Sequence, residues 1–160
     1  MKRELQIWGI LLLATTTHAS VPAMVGPDLT GEVSKQTILG QSYPWMKDIP
    51  EHVSLDTPKT LSQVDVEVYF GSWCGDSHEF LPQFMDLIDR TAKKSGVHPK
   101  SIRYFGLDRK KSFEGYVNTR SIERIPTFIF LKDGKEIGRI VETPKKTISS
   151  DVQSILSARR

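Results

Sequence analysis

A single cysteine, placed between an apolar run and an amphipathic run, constrains this chain more than any other feature. Cys74 lies in residues 70–78, whose sequence is FGSWCGDSH. Val64–Phe70 alternates and then becomes wholly apolar, which predicts a strand, and residues 79–94 carry apolar side chains at helical spacing. A thiol at a helix start faces unpaired N–H groups and the positive end of the helix dipole, which favour the thiolate. The sequence therefore predicts a reactive thiol between a strand and a helix.

Length and charge restrict the possible classes of protein. The 160 residues suit one domain of ordinary size with an N-terminal extension, and a hydrophobic content of 38% is compatible with a packed core. The formal net charge of +3 is spread along the chain without a long basic run. We therefore expect no nucleic-acid partner.

Residues 1–23 have the layout of a secretory signal peptide. Lys2 and Arg3 form a short basic start, and residues 5–14 are apolar but too few to span a bilayer as a helix. Small residues follow, with possible cleavage after Ala19 or Ala23. The pattern predicts export and no stable membrane insertion after cleavage. An uncleaved N-terminal membrane anchor or a buried N-terminal helix is the alternative.

Export and a single cysteine make an unusual combination. Exported small domains generally use cysteines in pairs, and Cys74 has no partner within the chain. The thiol is therefore buried and inert, paired with another molecule, or reactive. Its place at a helix start favours the last of these.

The remaining elements follow from periodicity and from turn and cap signals. In chain order they are a possible short strand near 36–39, a short helix from Asp56-Thr57-Pro58 to about Gln63, a strand at 101–107, a short helix at 113–120, a strand at 128–131, a tight turn at Asp133-Gly134, a strand at 136–141 and a helix from Thr147 to about Ala158. The charged loop Asp108–Lys111 is read as a solvated surface.

Four motifs in register give this chain a resemblance to the thioredoxin family from about residue 64 to 155. They are Trp73–Gly75, the helix proline Pro82, Ile125–Thr127 and the hairpin Lys132–Gly134. The resemblance implies an α/β thioredoxin fold, with a central mixed sheet flanked by helices, over residues 56–160. Residues 24–55 form an N-terminal extension. It also implies a cis peptide bond before Pro126.

The chain is most similar to bacterial thioredoxin-like proteins with a Trp-Cys-Gly-Asp-Ser motif and a segment like Gly138–Glu142. That resemblance makes the bacterial periplasm the expected compartment. The chain also departs from the family pattern at two positions. The second, resolving cysteine is Ser77, and the buried carboxylate six residues before the first cysteine is Val68. Glu67 is adjacent, but alternation points it to the other face of the sheet.

Cys74 and Ser77 are the candidate catalytic residues. Ser77 is too weak an acid to release a bound substrate, but its hydroxyl can donate a hydrogen bond to the Cys74 thiolate. His78, one helical turn after the cysteine, and Glu142, at the end of the last strand, are possible modulators of the thiol.

The substrate-binding candidates flank the cysteine or belong to the Ile-Pro-Thr motif. They are Trp73, Gly75, Asp76, Ile125 and Pro126. A cis bond at Pro126 would expose the backbone of Ile125 to pair with an extended peptide. Trp73 would cover the same groove or pack against the helix start. Asp76 suits a helix N-terminus but opposes a nearby thiolate.

Two functions remain open at this stage. The first is an exported monothiol thiol–disulfide oxidoreductase, in which Cys74 forms a mixed disulfide with a protein or small-thiol substrate. An external thiol would resolve this adduct, which suits disulfide exchange, isomerisation or removal of thiol adducts. The alternative is a redox-inactive thioredoxin-like module that binds peptides or a partner protein in the cis-proline groove. No cofactor is expected, because the scattered histidines and lone cysteine suggest no metal site.

Overall fold

A computed structural model describes residues 26–40, 43, 54–56 and 58–158. The predicted signal peptide at residues 1–23 lies outside the described residues. No helix in the described part is long and apolar enough to cross a membrane.

The described residues form one five-stranded mixed sheet with helices against it. Strand order across the sheet is β1-β3-β2-β4-β5; β2 and β3 run parallel, and the other neighbouring pairs run antiparallel. The elements are β1 (Gly31–Val33), α1 (Lys35–Ile38), a 3-10 helix (Pro58–Gln63), β2 (Val64–Phe70), α2 (Gly75–Ser95), β3 (Ser101–Gly106), β4 (Thr127–Lys132), β5 (Lys135–Val141) and α3 (Ile148–Ser157).

The central strand β2 confirms the prediction and separates two hydrophobic clusters. Val64, Val66, Val68 and Phe70 are all fully buried on one face, where they join the main cluster with side chains of α2 and α3. Tyr69 points to the opposite face and belongs to a smaller cluster, which reaches Trp73 and Cys74. The alternation of β2 thus places the cysteine at the edge of the smaller cluster.

Helix α2 begins immediately after Cys74 and carries the thiol at its N-terminus. Pro82 lies inside this 21-residue helix without ending it. Gly96 ends the helix in the left-handed conformation, with φ 71°, after two lysines in the last turn. The predicted ends of this helix are therefore confirmed within a few residues.

The hairpin and the last helix also agree with their sequence signals. Asp133 and Gly134 have φ values of 50° and 75°, as a tight turn with both central residues left-handed requires. The side chain of Thr147 accepts a hydrogen bond from the Ser150 amide and caps α3.

Two secondary-structure predictions are wrong. Residues 35–38 form a helical turn and not a strand, because the Ser34 side chain caps it by accepting from the Thr37 amide. Residues 113–120 form turns and not a helix. Gly115 has φ 76°, and the Asn118 side chain bonds both backbone groups of Ile122, which gives that backbone an alternative to helical pairing.

The N-terminal extension contributes the edge strand β1. Gly106 of β3 lies so close to this segment that a Cβ there would be 2.3 Å from the Leu29 carbonyl oxygen. Arg103 donates two hydrogen bonds to Glu32 across the pair. This ion pair lowers the pKa of the Glu32 carboxyl. The sheet therefore includes a strand from the segment that the sequence assigns to the extension.

Candidate active site

Cys74 lies at the junction of β2 and α2 and is partly exposed. Its amide donates to the Gly71 carbonyl at 3.0 Å, which closes a turn after β2. Its own carbonyl accepts the first helical bond, from the His78 amide at 3.0 Å. The residue has extended backbone angles and is the N-cap of α2. The thiol therefore stands at the helix start, where amide groups and the helix dipole favour negative charge.

The Ile125–Pro126 segment faces the thiol from the β4 side. The peptide bond between these residues is cis. The Cys74 thiol donates to the Ile125 carbonyl oxygen at an Sγ–O distance of 3.6 Å. A thiolate cannot donate, so ionisation of Cys74 leaves that oxygen available to accept from a substrate. Two residues 51 positions apart in sequence thus form one site.

Ser77 is fully buried beneath the thiol, in the first turn of α2. Its hydroxyl oxygen accepts from the Gly71 amide at 3.2 Å. This contact uses the oxygen as an acceptor and leaves the hydroxyl proton able to donate, so the predicted hydrogen bond to the Cys74 thiolate stays a prediction. Ser77 therefore supports the turn from below.

Trp73 lies beside the thiol and is fixed on two sides. The indole Nε1 donates to the Leu107 carbonyl at 2.9 Å, and the Arg109 guanidinium lies 5.2 Å from the ring centroid. A Cβ at Gly71 would be 2.9 Å from the ring and 2.8 Å from the Ile125 Cδ1 atom. Glycine at position 71 is thus required by close packing. The ring packs against the smaller cluster. The two roles predicted for it, covering the groove or packing against the helix start, stay predictions.

His78 holds the active-site turn from the helix. Its Nε2 atom lies 2.6 Å from the Ser72 carbonyl oxygen. A carbonyl only accepts, so Nε2 carries the proton in this contact. The Ser72 side chain is buried and accepts from the Leu29 amide at 2.8 Å, which links the turn to the N-terminal segment. The predicted modulator therefore contacts the backbone of the turn.

The other acidic candidates lie at the rim of the site. Asp76 is partly buried in the first turn of α2, next to the exposed Gly75. Glu142 forms an ion pair with Arg124, with 2.6 Å between Oε2 and Nη1, and this pair raises the pKa of the arginine. Glu142 has φ 60°, and its amide donates to the Pro126 carbonyl at 2.7 Å. The structure thus ties Glu142 to the Ile-Pro-Thr segment, with its negative charge paired.

A partly buried ion pair lies on the same face of the sheet as Tyr69. Arg120 donates two hydrogen bonds to Glu67, at 2.7 and 2.9 Å, and the Tyr69 hydroxyl donates to the same carboxylate at 3.1 Å. Burial, with the Glu67 charge next, raises the pKa of Tyr69. Glu67 does face away from Val68, as alternation predicts, and it anchors the segment that leads to Ile125.

Among the described residues, no group of three or more His, Cys, Asp and Glu side chains could hold a metal ion. The chemistry available at the site is that of the thiol, the surrounding backbone groups and the flanking charges.

Comparison with known proteins agrees with this geometry. Residues 58–154 match the family model described as Thioredoxin, so the chain belongs to the thioredoxin family and has its fold, with an N-terminal extension. It is 30% identical to Thioredoxin H1 of Arabidopsis thaliana over 99 residues, which cover 62% of this chain and 76% of the relative. It is 25% identical to Thioredoxin H2-2 of Oryza sativa subsp. japonica over 128 residues, covering 80% and 85%.

Among solved structures, the chain is similar to thioredoxin of Fasciola hepatica. The TM-score is 0.40 at 21% identity, with coverage of 62% of this chain and 83% of the other. Family membership makes this a thioredoxin-like protein, and its only cysteine is Cys74.

Sequence reasoning missed two parts of the site. The sequence places Arg109 in a solvated loop and predicts a short helix at Arg120. The first could have been found, because β2 and β3 are parallel and their carboxyl ends meet at one edge of the sheet. The pairing of Arg120 with Glu67 spans 53 residues and has no local signal.

Proposed function

We propose that this protein is a monothiol thiol–disulfide oxidoreductase. The observation that carries the proposal is the juxtaposition of a partly exposed Cys74, at the start of α2, with the Ile125 carbonyl oxygen. In the reaction, the Cys74 thiolate attacks one sulfur of a disulfide. A new Cys74–substrate disulfide forms, the original S–S bond breaks, and the other sulfur leaves as a thiolate.

The fate of the mixed disulfide follows from Ser77. A hydroxyl at that position cannot displace the substrate, so a second thiol must come from the substrate or from a small external thiol. Such a thiol attacks the substrate sulfur and restores the Cys74 thiolate. The exchange conserves the number of disulfides, which suits isomerisation or removal of thiol adducts.

Trapping of the mixed disulfide tests the proposal. A peptide disulfide is mixed with the folded protein, and the adduct is followed by intact-mass spectrometry. We expect one adduct per chain at Cys74, formed faster than with the same chain in denaturant and reversed by excess small thiol. Cys74→Ala provides the matched control and should give none. Equal rates in the folded and denatured chains would contradict an activated thiol.

A redox-inactive binding module is the second candidate, favoured by the buried Ser77 where the family has a resolving thiol. It predicts that peptides bind Cys74→Ala as tightly as the unaltered protein, and that the thiol reacts no faster than an unfolded one. Calorimetric titration of both variants with the same reduced peptide distinguishes the two functions.

We propose further that the protein is exported and that residues 1–23 are removed. The basic start and the short apolar stretch support this. N-terminal sequencing of the protein from fractionated cells should find the mature chain beginning near Ser20 or Met24 in an exported fraction. An intact N-terminus in the cytosol would contradict it.

A further inference from the structure

A basic loop, residues 108–112, follows β3 and borders the active site. Asp108 organises this loop, because its carboxylate accepts from the Lys110 and Ser112 amides at 2.8 and 2.9 Å. The backbone closes it further, with the Asp108 amide donating to Ser112 and the Lys111 amide donating to Asp108, both at 2.9 Å. Lys111 also donates its ammonium to the Glu123 carbonyl. Hydrogen bonds therefore fix the backbone of the loop without a helix or strand.

Arg109, Lys110 and Lys111 are all exposed, and Lys111 is the one whose ammonium donates to the Glu123 carbonyl. The Arg109 guanidinium stacks against Trp73, the residue before the cysteine. Within the described part of the chain, no carboxylate lies within ion-pairing distance of Arg109 or Lys110. By contrast, Arg124 on the other side of the site is paired with Glu142. One flank of the thiol thus carries positive charge that no carboxylate of the described residues pairs.

We infer that Arg109 and Lys110 select an extended acidic segment of a partner protein, with carboxylates next to the cysteine that reacts with Cys74. The inference rests on the proposed function and names its substrate class. Two observations favour a protein segment. The Ile125 carbonyl can accept a backbone N–H, and Arg109, which is followed in the loop by Lys110, stacks on Trp73 to one side of the thiol, where residues flanking the reacting cysteine would lie. Complementary charges at such a rim act mainly on the rate of association.

Three peptides test the selection. They are identical except that the reacting cysteine is flanked by aspartate, serine or lysine, and each carries the same neutral pyridyl disulfide. Attack by Cys74 on the peptide sulfur forms the protein–peptide disulfide and expels pyridinethiolate, which takes up a proton and is measured by its absorbance. A fourth probe, 3-mercaptopropionate as the same pyridyl disulfide, offers a carboxylate without a peptide.

We expect the aspartate peptide to react about fivefold faster than the serine peptide at low salt, with the lysine peptide slowest. The double variant Arg109→Gln, Lys110→Gln should bring the ratio of the aspartate-peptide rate to the serine-peptide rate close to one. Lys135→Gln is the matched control, because Lys135 is exposed at the start of β5, at the opposite end of the sheet from the thiol. High salt should reduce the preference in the unaltered protein.

Several results would overturn the inference. Equal rates with all three peptides, or a preference that persists in the double variant, would show that the loop does not select substrates. A carboxylate preference equally large for 3-mercaptopropionate would assign the loop to small acidic thiols. A protein that reacts with none of the peptides contradicts the proposed function itself, and the inference falls with it.

Discussion

Ser77 carries a hydroxyl at the position where the resemblance to the thioredoxin family predicts the second thiol. The side chain is fully buried, one helical turn beyond Cys74, and its oxygen accepts from the Gly71 amide. Positions i and i+3 of a helix lie about 5–6 Å apart, within the span of a disulfide. A thiol at position 77 would therefore lie within reach of Cys74, and the site differs from a dithiol by one atom, the serine oxygen in place of a sulfur.

Ser77→Cys should convert the monothiol site into a dithiol. We expect an internal disulfide in the oxidised protein and release of bound peptide without an external thiol, because the new thiol attacks Cys74 in the mixed disulfide. Turnover should stay modest, because Val68 cannot accept the proton of the new thiol as the family's buried carboxylate does. Thiol counting and a peptide-release assay measure both effects. An oxidised variant that still shows two free thiols would contradict the expected geometry, and Ser77→Ala serves as the control without a thiol.

Gly71→Ala should disturb both walls of the site at once. The added Cβ meets the Ile125 Cδ1 atom at 2.8 Å and the Trp73 ring at 2.9 Å, so at least one side chain must move. We expect a loss of about 1–3 kcal/mol in the free energy of unfolding, slower alkylation of Cys74 and a change in tryptophan emission. Gly75→Ala is the control for stability, because a Cβ there meets nothing within 4 Å. Equal stability of the two variants would argue against this packing.

At the scale of elements, the segment between β3 and β4 is held by side chains in place of a helix. Glu67 and Arg120 join it to the centre of the sheet, and Arg139 of β5 donates to the Arg120 carbonyl at 3.1 Å. The Glu67 side chain is only 10% exposed. Because this segment leads directly to Ile125, the ion pair positions the carbonyl that faces the thiol.

Arg120→Met should destabilise the fold, because it leaves the Glu67 carboxylate buried without its main partner. Such losses reach about 3 kcal/mol, and the partial exposure of the arginine suggests a value nearer 2 kcal/mol. The double variant Glu67→Gln, Arg120→Met should recover part of the loss. Urea denaturation of the single and double variants measures the coupling. Additive losses would show that the pair does not act as a unit.

At the scale of the whole molecule, all four tyrosines have raised pKa values. Burial is the largest cause for Tyr43, Tyr69, Tyr104 and Tyr116, and the shifts are largest at Tyr69 and Tyr104. An unfolded tyrosine ionises near pH 10. Above that pH the unfolded chain loses protons that the folded chain retains, so folding becomes less favourable as pH rises.

Stability should therefore be fully present below about pH 10 and fall above it, by up to about 1.4 kcal/mol per pH unit for each tyrosine that stays protonated. Urea denaturation over this range measures the slope, and phenolate absorbance shows whether ionisation coincides with unfolding. Tyr104→Phe should make the fall in unfolding free energy with pH less steep, because the unfolded variant has one tyrosine fewer to ionise. Native tyrosines that titrate near pH 10 would contradict the expectation.

The elements that depend on neighbouring residues could be predicted from the sequence. The alternation of Val64–Phe70, the caps around α2 and α3 and the Asp133-Gly134 turn all act within a few residues, so their signals are local. The motifs around Cys74 and Pro126 indicated the family through the same local patterns. Where a side chain competed with the backbone, as Ser34 and Asn118 do, the periodicity was misleading.

The surroundings of the thiol, by contrast, depend on how the chain folds. The contact of Cys74 with Ile125, the stacking of Arg109 on Trp73 and the burial of Glu67 join residues from different strands and loops. No sequence period encodes such contacts, because they depend on how the sheet brings distant strand ends to one edge. The sequence therefore identifies Cys74 as the reactive group, and the fold brings Ile125 and the positive charge of Arg109 beside it.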